Sequence, residues 1–312
     1  LANQKNDSIG TEMRSALLLG GNGFLGSHLA RALKQRGVSV RIYDRGSHDD
    51  AEGDSVHIKG DFGTGEHLAE ALEGVDIVYH LISTTLPSTS NAHALFDVES
   101  NVGGTLRLLD HMKTAGVNRI VFTSSGGTVY GNPQMVPVRE DHPLQPLCSY
   151  GVTKVAIEGY LRLNASLHGL NATVLRIANP YGPGKARIGV QGFIPTLFAK
   201  IASEAPIEIW GDGSVVRDYI YVDDAIDAML EAASWNGFRL YNVGSGAGHS
   251  LLDVLRTVER ATGRSANVVY KQGRSFDVVE IYLDIGKITS ETAWRPRVSL
   301  DAGCRLFWAA MT

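Results

Sequence analysis

The stretch SALLLGGNGFLGSHLARALKQ, residues 15–35, decides how this chain folds. Ala16 to Leu19 form a short apolar run, the mark of a strand buried on both faces. Gly20, Gly23 and Gly26 interrupt it, and an amphipathic segment of helical length follows over about 24–36. Outward from there the same alternation recurs. Apolar, β-branched runs at 38–44, 55–61, 75–81, 118–125 and 171–179 are separated by candidate helices at 65–73, 92–115 and 149–168. Short strands alternating with helices read as βαβ units, so the expected class is α/β, a doubly wound parallel sheet of the Rossmann type with six strands.

After about Asn179 the texture changes. Loops at Tyr181-Gly-Pro-Gly-Lys185, Trp210-Gly-Asp-Gly-Ser214 and Gly244-Ser-Gly-Ala-Gly248 separate shorter strands from helices near 190–203, 223–234 and 250–262. The reading is a dinucleotide-binding half over 14–178 and a smaller α/β lobe over 179–312, with strands free to interleave because no Pro/Ser linker divides them. Residues 1–13 read as a loose leader, with Met13 the expected natural start.

Composition excludes several classes. The 312 residues carry 29 Lys and Arg against 33 Asp and Glu, a net charge of −4, so no broad basic face exists for a nucleic acid. Two cysteines, Cys148 and Cys304, are too few for a disulfide framework or a structural zinc site and fit a cytoplasmic protein. No apolar run approaches the roughly 18 residues that span a bilayer. His80 and His111 show no metal-ligand spacing.

The chemistry begins at Gly20-Gly-Asn-Gly-Phe24-Leu25-Gly26. Glycines there permit a tight turn and let backbone N–H groups approach a pyrophosphate at the positive end of the helix. With 35 glycines in the chain the spacing alone arises about 0.4 times by chance, so context discriminates. The second strand ends in Asp44, beside Arg45, where a carboxylate accepts from both adenosine ribose hydroxyls and repels a 2′-phosphate. NAD is therefore expected rather than NADP. Asp61, next to Phe62 at the end of the third strand, faces the adenine edge or caps a loop.

Tyr150 and Lys154 open the long helix after the fifth strand, and at i and i+4 they share one face. Ser124 and Ser125 end that strand at the sheet edge where open α/β folds bind ligands. Bringing a tyrosine from about 10 to near 7 takes ~4 kcal/mol. One cation ~4 Å away at an effective dielectric near 20 supplies about that much, and an oxidised nicotinamide adds positive charge. Tyr150 is thus expected to act as a base at neutral pH, with a serine holding the same substrate hydroxyl.

Together the glycine turn, Asp44, Asp61, Asn101-Val-Gly-Gly-Thr105, the serine pair, Tyr150 with Lys154, and Leu175-Arg-Ile-Ala-Asn-Pro-Tyr-Gly182 resemble the extended short-chain dehydrogenase/reductases, and within them the NAD-dependent epimerase/dehydratase family acting on nucleotide sugars. The resemblance implies that Tyr150 takes the proton of the sugar 4′-hydroxyl, that Lys154 bonds the nicotinamide ribose, and that Ser125 or Ser124 positions the hydroxyl. It places Leu81, Ile82 and Ser83 along the cofactor, Asn101 behind the active-site helix and Ile177 near the nicotinamide. It assigns Asn179, Arg217 and Arg274 to a sugar-nucleotide diphosphate, Asp277 to a ribose, Gln191 and Phe193 to the nucleotide pocket, and Ile281 to a gate beside the sugar 2-substituent.

Dehydratases of that family carry a carboxylate just after the catalytic hydroxyl residue, where this chain has Gly126-Gly-Thr128. Without that acid the implied reaction is 4-epimerisation of a UDP-hexose or UDP-N-acetylhexosamine through transient C4′ oxidation, in polysaccharide or O-antigen synthesis, by a homodimer. Two alternatives stay open: an NAD(P)-dependent 4-keto nucleotide-sugar reductase and a non-catalytic NAD-binding sensor.

Overall fold

Successive residues of β1 (Ser15–Leu19) face opposite sides of a sheet, and each side has its own core: Ala16 and Leu18 join one apolar cluster, Leu17 and Leu19 the other. The structure, a computed structural model, describes residues 13–46, 55–184, 192–273 and 278–312. After β1 come α1 (Phe24–Gln35), β2 (Ser39–Asp44), β3 (Val56–Lys59), α2 (Leu68–Leu72), β4 (Ile77–His80), α3 (Ala94–Asp97), α4 (Gly104–Ala115), β5 (Arg119–Ser125), α5 (Ser149–His168) and β6 (Asn171–Ile177). The C-terminal part adds β7 (Asn179–Tyr181), α6 (Phe193–Ala202), β8 (Ile207–Trp210), β9 (Val216–Tyr221), α7 (Val222–Ala232), β10 (Phe238–Val243), β11 (Gly248–Ser250), α8 (Leu251–Thr262), β12 (Val268–Lys271), β13 (Glu280–Ile281), α9 (Gly286–Glu291) and α10 (Leu300–Ala309).

The main sheet is parallel and seven-stranded, in the order β10-β6-β5-β4-β1-β2-β3. The α/β, doubly wound class is as expected, and all six anticipated strands are in this sheet. The seventh, β10, returns from the C-terminal half to pair with β6, Leu240 opposite Val174. Strand order reverses between β1 and β4, which opens a crevice at the carboxyl ends of the strands. Around β9 lies a smaller sheet, with β7 and β13 parallel to it and β11 antiparallel, and β8 pairs with β12. Helix α8 starts on a reciprocal cap: the Asp253 N–H donates to the Ser250 hydroxyl oxygen at 3.0 Å and the Ser250 N–H to the Asp253 carboxylate at 3.2 Å.

Two helices differ from expectation. The one expected over 92–115 is broken into a 3₁₀ turn (Ser90–His93), α3, a π turn (Val98–Gly103) and α4. Polar side chains compete for its carbonyls: the Ser100 hydroxyl donates to the Phe96 carbonyl at 2.5 Å and the Asn101 amide to the Asp97 carbonyl at 3.1 Å. The one expected over 65–73 shrinks to α2, because His67 sits in the left-handed region at φ 57°. Among the described residues no helix is long and apolar enough to cross a membrane.

Candidate active site

The glycine turn packs against the neighbouring strand β2. Gly20 has φ +82°, and its N–H donates to the Tyr43 carbonyl at 2.9 Å. A Cβ at Gly26 would collide with the Gly20 carbonyl and lie 2.6 Å from the Gly21 Cα, so α1 reaches the turn only as glycine. Gly23 precedes α1 without a capping side chain, which leaves the first N–H groups of the helix open to a ligand. Beside this turn lies a cleft of about 210 Å³, walled by Gly20, Gly23, Asp44, Arg45, Asp61, Phe62, Leu81, Ile82 and Ser83, with Gly60, Thr84, Phe96 and Ser100.

Asp61 also caps the loop that follows β3. It lines the cleft, and its carboxylate accepts the Gly63 N–H at 2.7 Å. Phe62 sends its ring into the core against His80, centroids 5.0 Å apart. Phe24 and Leu25 pack partly against the larger core instead of walling the cleft, and the Phe24 ring meets His28 edge-on at 5.3 Å. Asn101 stands one layer back: its Oδ1 accepts the Thr84 N–H at 3.0 Å and its amide donates to the Thr84 hydroxyl oxygen at 2.7 Å.

At the end of β5 the two serines part company. The Ser124 hydroxyl is buried and donates to Glu158 Oε1 at 2.5 Å, whereas Ser125 is left to the Tyr150 phenol, whose ionised form it favours. Ser125 lies in register with Ile177, two residues before Asn179. Lys154 is 4% exposed; its ammonium donates to the Thr123 carbonyl at 2.9 Å and stands 5.5 Å from the Tyr150 ring centroid and 4.6 Å from that of Phe122.

Burial sets the protonation of this pair. Burial pushes the Tyr150 phenol up to about 12, Cys148 and the Asp97 carboxylate add to this, and the Ser125 hydroxyl opposes it. Burial brings Lys154 down to about 8, against the pull of Glu158 and Asp97. In the chain alone the phenol stays protonated at neutral pH, because burial disfavours the phenolate while the Lys154 ammonium is engaged by the Thr123 carbonyl.

Sequence reasoning missed the polar layer behind these groups. Glu158 pairs with Arg176 at 2.6 Å, both nearly inaccessible. Arg176 continues to the Tyr130 hydroxyl at 2.9 Å, which donates to Asn242 at 2.6 Å. Asp97, fully buried, accepts from Thr85, Asn101 and Ser149. The available signal was Glu158 itself, one turn after Lys154 on a face that should be apolar.

A second cleft, about 270 Å³, brings together Asn179, Phe193 and Arg217 with Tyr181, Trp210 and Tyr219. The Asn179 amide also donates to the Asp218 carbonyl at 2.8 Å, and Arg217 Nη1 to the Val216 carbonyl at 2.8 Å. Ile281 is 3% exposed in β13, in register with Arg217, and walls neither cleft. Gln191, Arg274 and Asp277 lie outside the described residues.

Comparison with known proteins agrees with this geometry. Residues 16–244 match the NAD dependent epimerase/dehydratase family. The chain is 32% identical to the UDP-glucose 4-epimerase of Mycolicibacterium smegmatis over 92% of its length and 95% of that protein. It is also 32% identical to the dTDP-4-dehydro-6-deoxyglucose reductase of Escherichia coli, over 92% and 94%. The UDP-glucose 4-epimerase of Thermotoga maritima, solved with UDP-glucose, superposes with a TM-score of 0.90 at 31% identity, covering 95% of this chain and 98% of that one. The Thermus thermophilus UDP-glucose 4-epimerase, solved in complex with NAD, gives 0.88 at 30% identity over 95% and 98%. Agreement in sequence and fold over nearly the whole length places the chain in the NAD-dependent epimerase/dehydratase family, among UDP-glucose 4-epimerase-like proteins.

Proposed function

We propose that this chain is a nucleotide-sugar 4-epimerase acting on a UDP-hexose or UDP-N-acetylhexosamine. The reading is carried by the placement of Ser125 beside the Tyr150 phenol, with Lys154 on the same side, at the sheet edge. The first cleft fits NAD: its turn is closed to a side chain at Gly26, its helix end is uncapped, and Asp44 and Asp61 offer acceptors to the adenosine. NAD, when bound, supplies a reversible hydride acceptor and, oxidised, a positive charge.

Tyr150 takes the proton of the sugar 4-hydroxyl on its phenolic oxygen and later gives it back, and Ser125 holds the same hydroxyl. The phenol's elevated pKa means that its deprotonation near neutral pH needs more positive charge than Lys154 alone brings. Asn179 and Arg217 hold the diphosphate while Phe193 borders the base; Arg274, Asp277 and Gln191 are assigned to the same ligand by resemblance. Elimination lacks a proton donor, since Gly126, Gly127 and Thr128 carry no carboxylate.

Apolar side chains exposed on neighbouring helical segments, Leu95 and Val98 on one and Val152, Leu163 and Leu167 on α5, support a homodimer, and two free cysteines suit the cytoplasm. The Escherichia coli relative favours a second reading, reduction of a 4-keto nucleotide sugar. The deciding experiment incubates the purified protein with UDP-glucose, UDP-galactose and their N-acetylhexosamine counterparts without added reductant. Interconversion of epimers with a transient reduced-nicotinamide band is expected; turnover only with stoichiometric consumption of external reductant would establish the reductase.

A further inference from the structure

Two buried carboxylates act on Lys154, Asp97 on Tyr150 as well, and they differ in what neutralises them. Glu158 is paired with the Arg176 guanidinium, so its charge is cancelled where it sits. Asp97 accepts from the Thr85 hydroxyl at 2.7 Å, the Asn101 amide at 2.7 Å and the Ser149 hydroxyl at 2.6 Å, three uncharged donors. Donors alone around a carboxyl are the surroundings of its ionised form. Burying such a charge without an ion partner is costly, and the hydroxyls of Thr85 and Ser149 can reverse, so a neutral amide would satisfy the same network.

We infer that Asp97 is a positioning residue for the reaction: its negative charge, uncancelled by an ion partner and bonded to Ser149 beside Tyr150, keeps the buried Lys154 ammonium charged and fixes the pH range in which the Tyr150–Lys154 pair works. Its charge acts on both members of the pair, favouring the protonated form of each. The same carboxylate braces the cleft wall. Asn101 holds Thr84, the Thr84 and Ser100 hydroxyls lie 2.6 Å apart, and Ser83, Thr84 and Ser100 line the first cleft. The other titratable or charged groups facing the pair are Glu158 with Arg176 behind it, Cys148 just before α5, and His80 on β4, which burial brings down to about 3 and so keeps neutral.

The inference rests on Tyr150 as the base, and the pH profile of kcat for epimerisation by the NAD-loaded enzyme tests it. Replacing Asp97 by asparagine favours the phenolate and disfavours the ammonium, so both limbs of the profile are expected to move to lower pH by about one unit. Ser149→Ala keeps the charge and loses one donor; its rate falls while its limbs stay in place. An Asp97→Asn profile lowered in height but unmoved would overturn the inference, as would an equal shift in Cys148→Ser, which assigns the effect to the thiol. Asp97→Ser serves if the amide does not fit. Failure of both neutral variants to fold, while Thr85→Val and Ser149→Ala fold, makes the carboxylate purely structural and also overturns it. If Tyr150→Phe is inactive and Asp97→Asn is unshifted, only this inference falls; an active Tyr150→Phe removes the base assignment itself.

Discussion

The two clefts are assembled in opposite ways. The first is walled by the ends of consecutive strands, with small residues and a helix end, and most of its lining sits within a few residues of a strand terminus. The second takes Asn179 from β7, Phe193 from α6, Trp210 from β8, and Arg217 and Tyr219 from β9, so aromatic side chains and one guanidinium meet there from distant parts of the chain. A backbone-built cleft is set by turn geometry and changes little with side-chain identity. One built from side chains is free to change its ligand by substitution, which suits an adjustable partner facing an invariant coenzyme.

The sharpest test of this contrast lies where the clefts share their chemistry. Tyr150→Phe should lower kcat by about 10³-fold or more while leaving NAD retention and thermal stability unchanged, as measured by turnover and by bound-nucleotide content. Next in size, Arg217→Ala should weaken UDP binding by roughly 10- to 100-fold in calorimetry with NAD retention untouched. Coupled loss of both ligands would erase the distinction between the clefts. Asp44→Asn is expected to act only on the first cleft, cutting the preference for NAD over NADP about tenfold, with UDP affinity constant.

The smallest effect is on stability. The folded-state pKa of His80 is depressed to about 3, so between about 6.5 and 3 the unfolded chain binds a proton that the folded chain refuses. Folding stability should therefore be full above about pH 6.5 and fall as the pH drops through that window. Urea unfolding midpoints at pH 7.5 and 5 measure the loss, and His80→Gln should flatten it.

Much of the first cleft was legible in the sequence, because a turn, its glycines and a strand-end acid are neighbours along the chain. Tyr150 and Lys154 were legible for the same reason, one helical turn apart. The choice between Ser124 and Ser125 was not: it depends on Glu158, 34 residues away, which takes the Ser124 hydroxyl. Nor was the break at Val98–Gly103, since periodicity reports the apolar face and is blind to side chains bonding their own helix's carbonyls. The rise of the phenol's pKa on burial was not legible either, because a pairwise charge estimate omits the water that folding removes. Trp210 and Tyr219 carried no local mark, and only the fold brings them to Arg217.

The return of β10 to the edge of the main sheet has a consequence for how the protein is made. During translation β6 emerges about sixty residues before its neighbour β10, and synthesis at ~5–20 residues per second leaves that flank open for several seconds. Until Val243 clears the ribosome, the backbone groups along that side of β6 have no partner strand, and a nascent chain arrested there would present a sticky border to its neighbours.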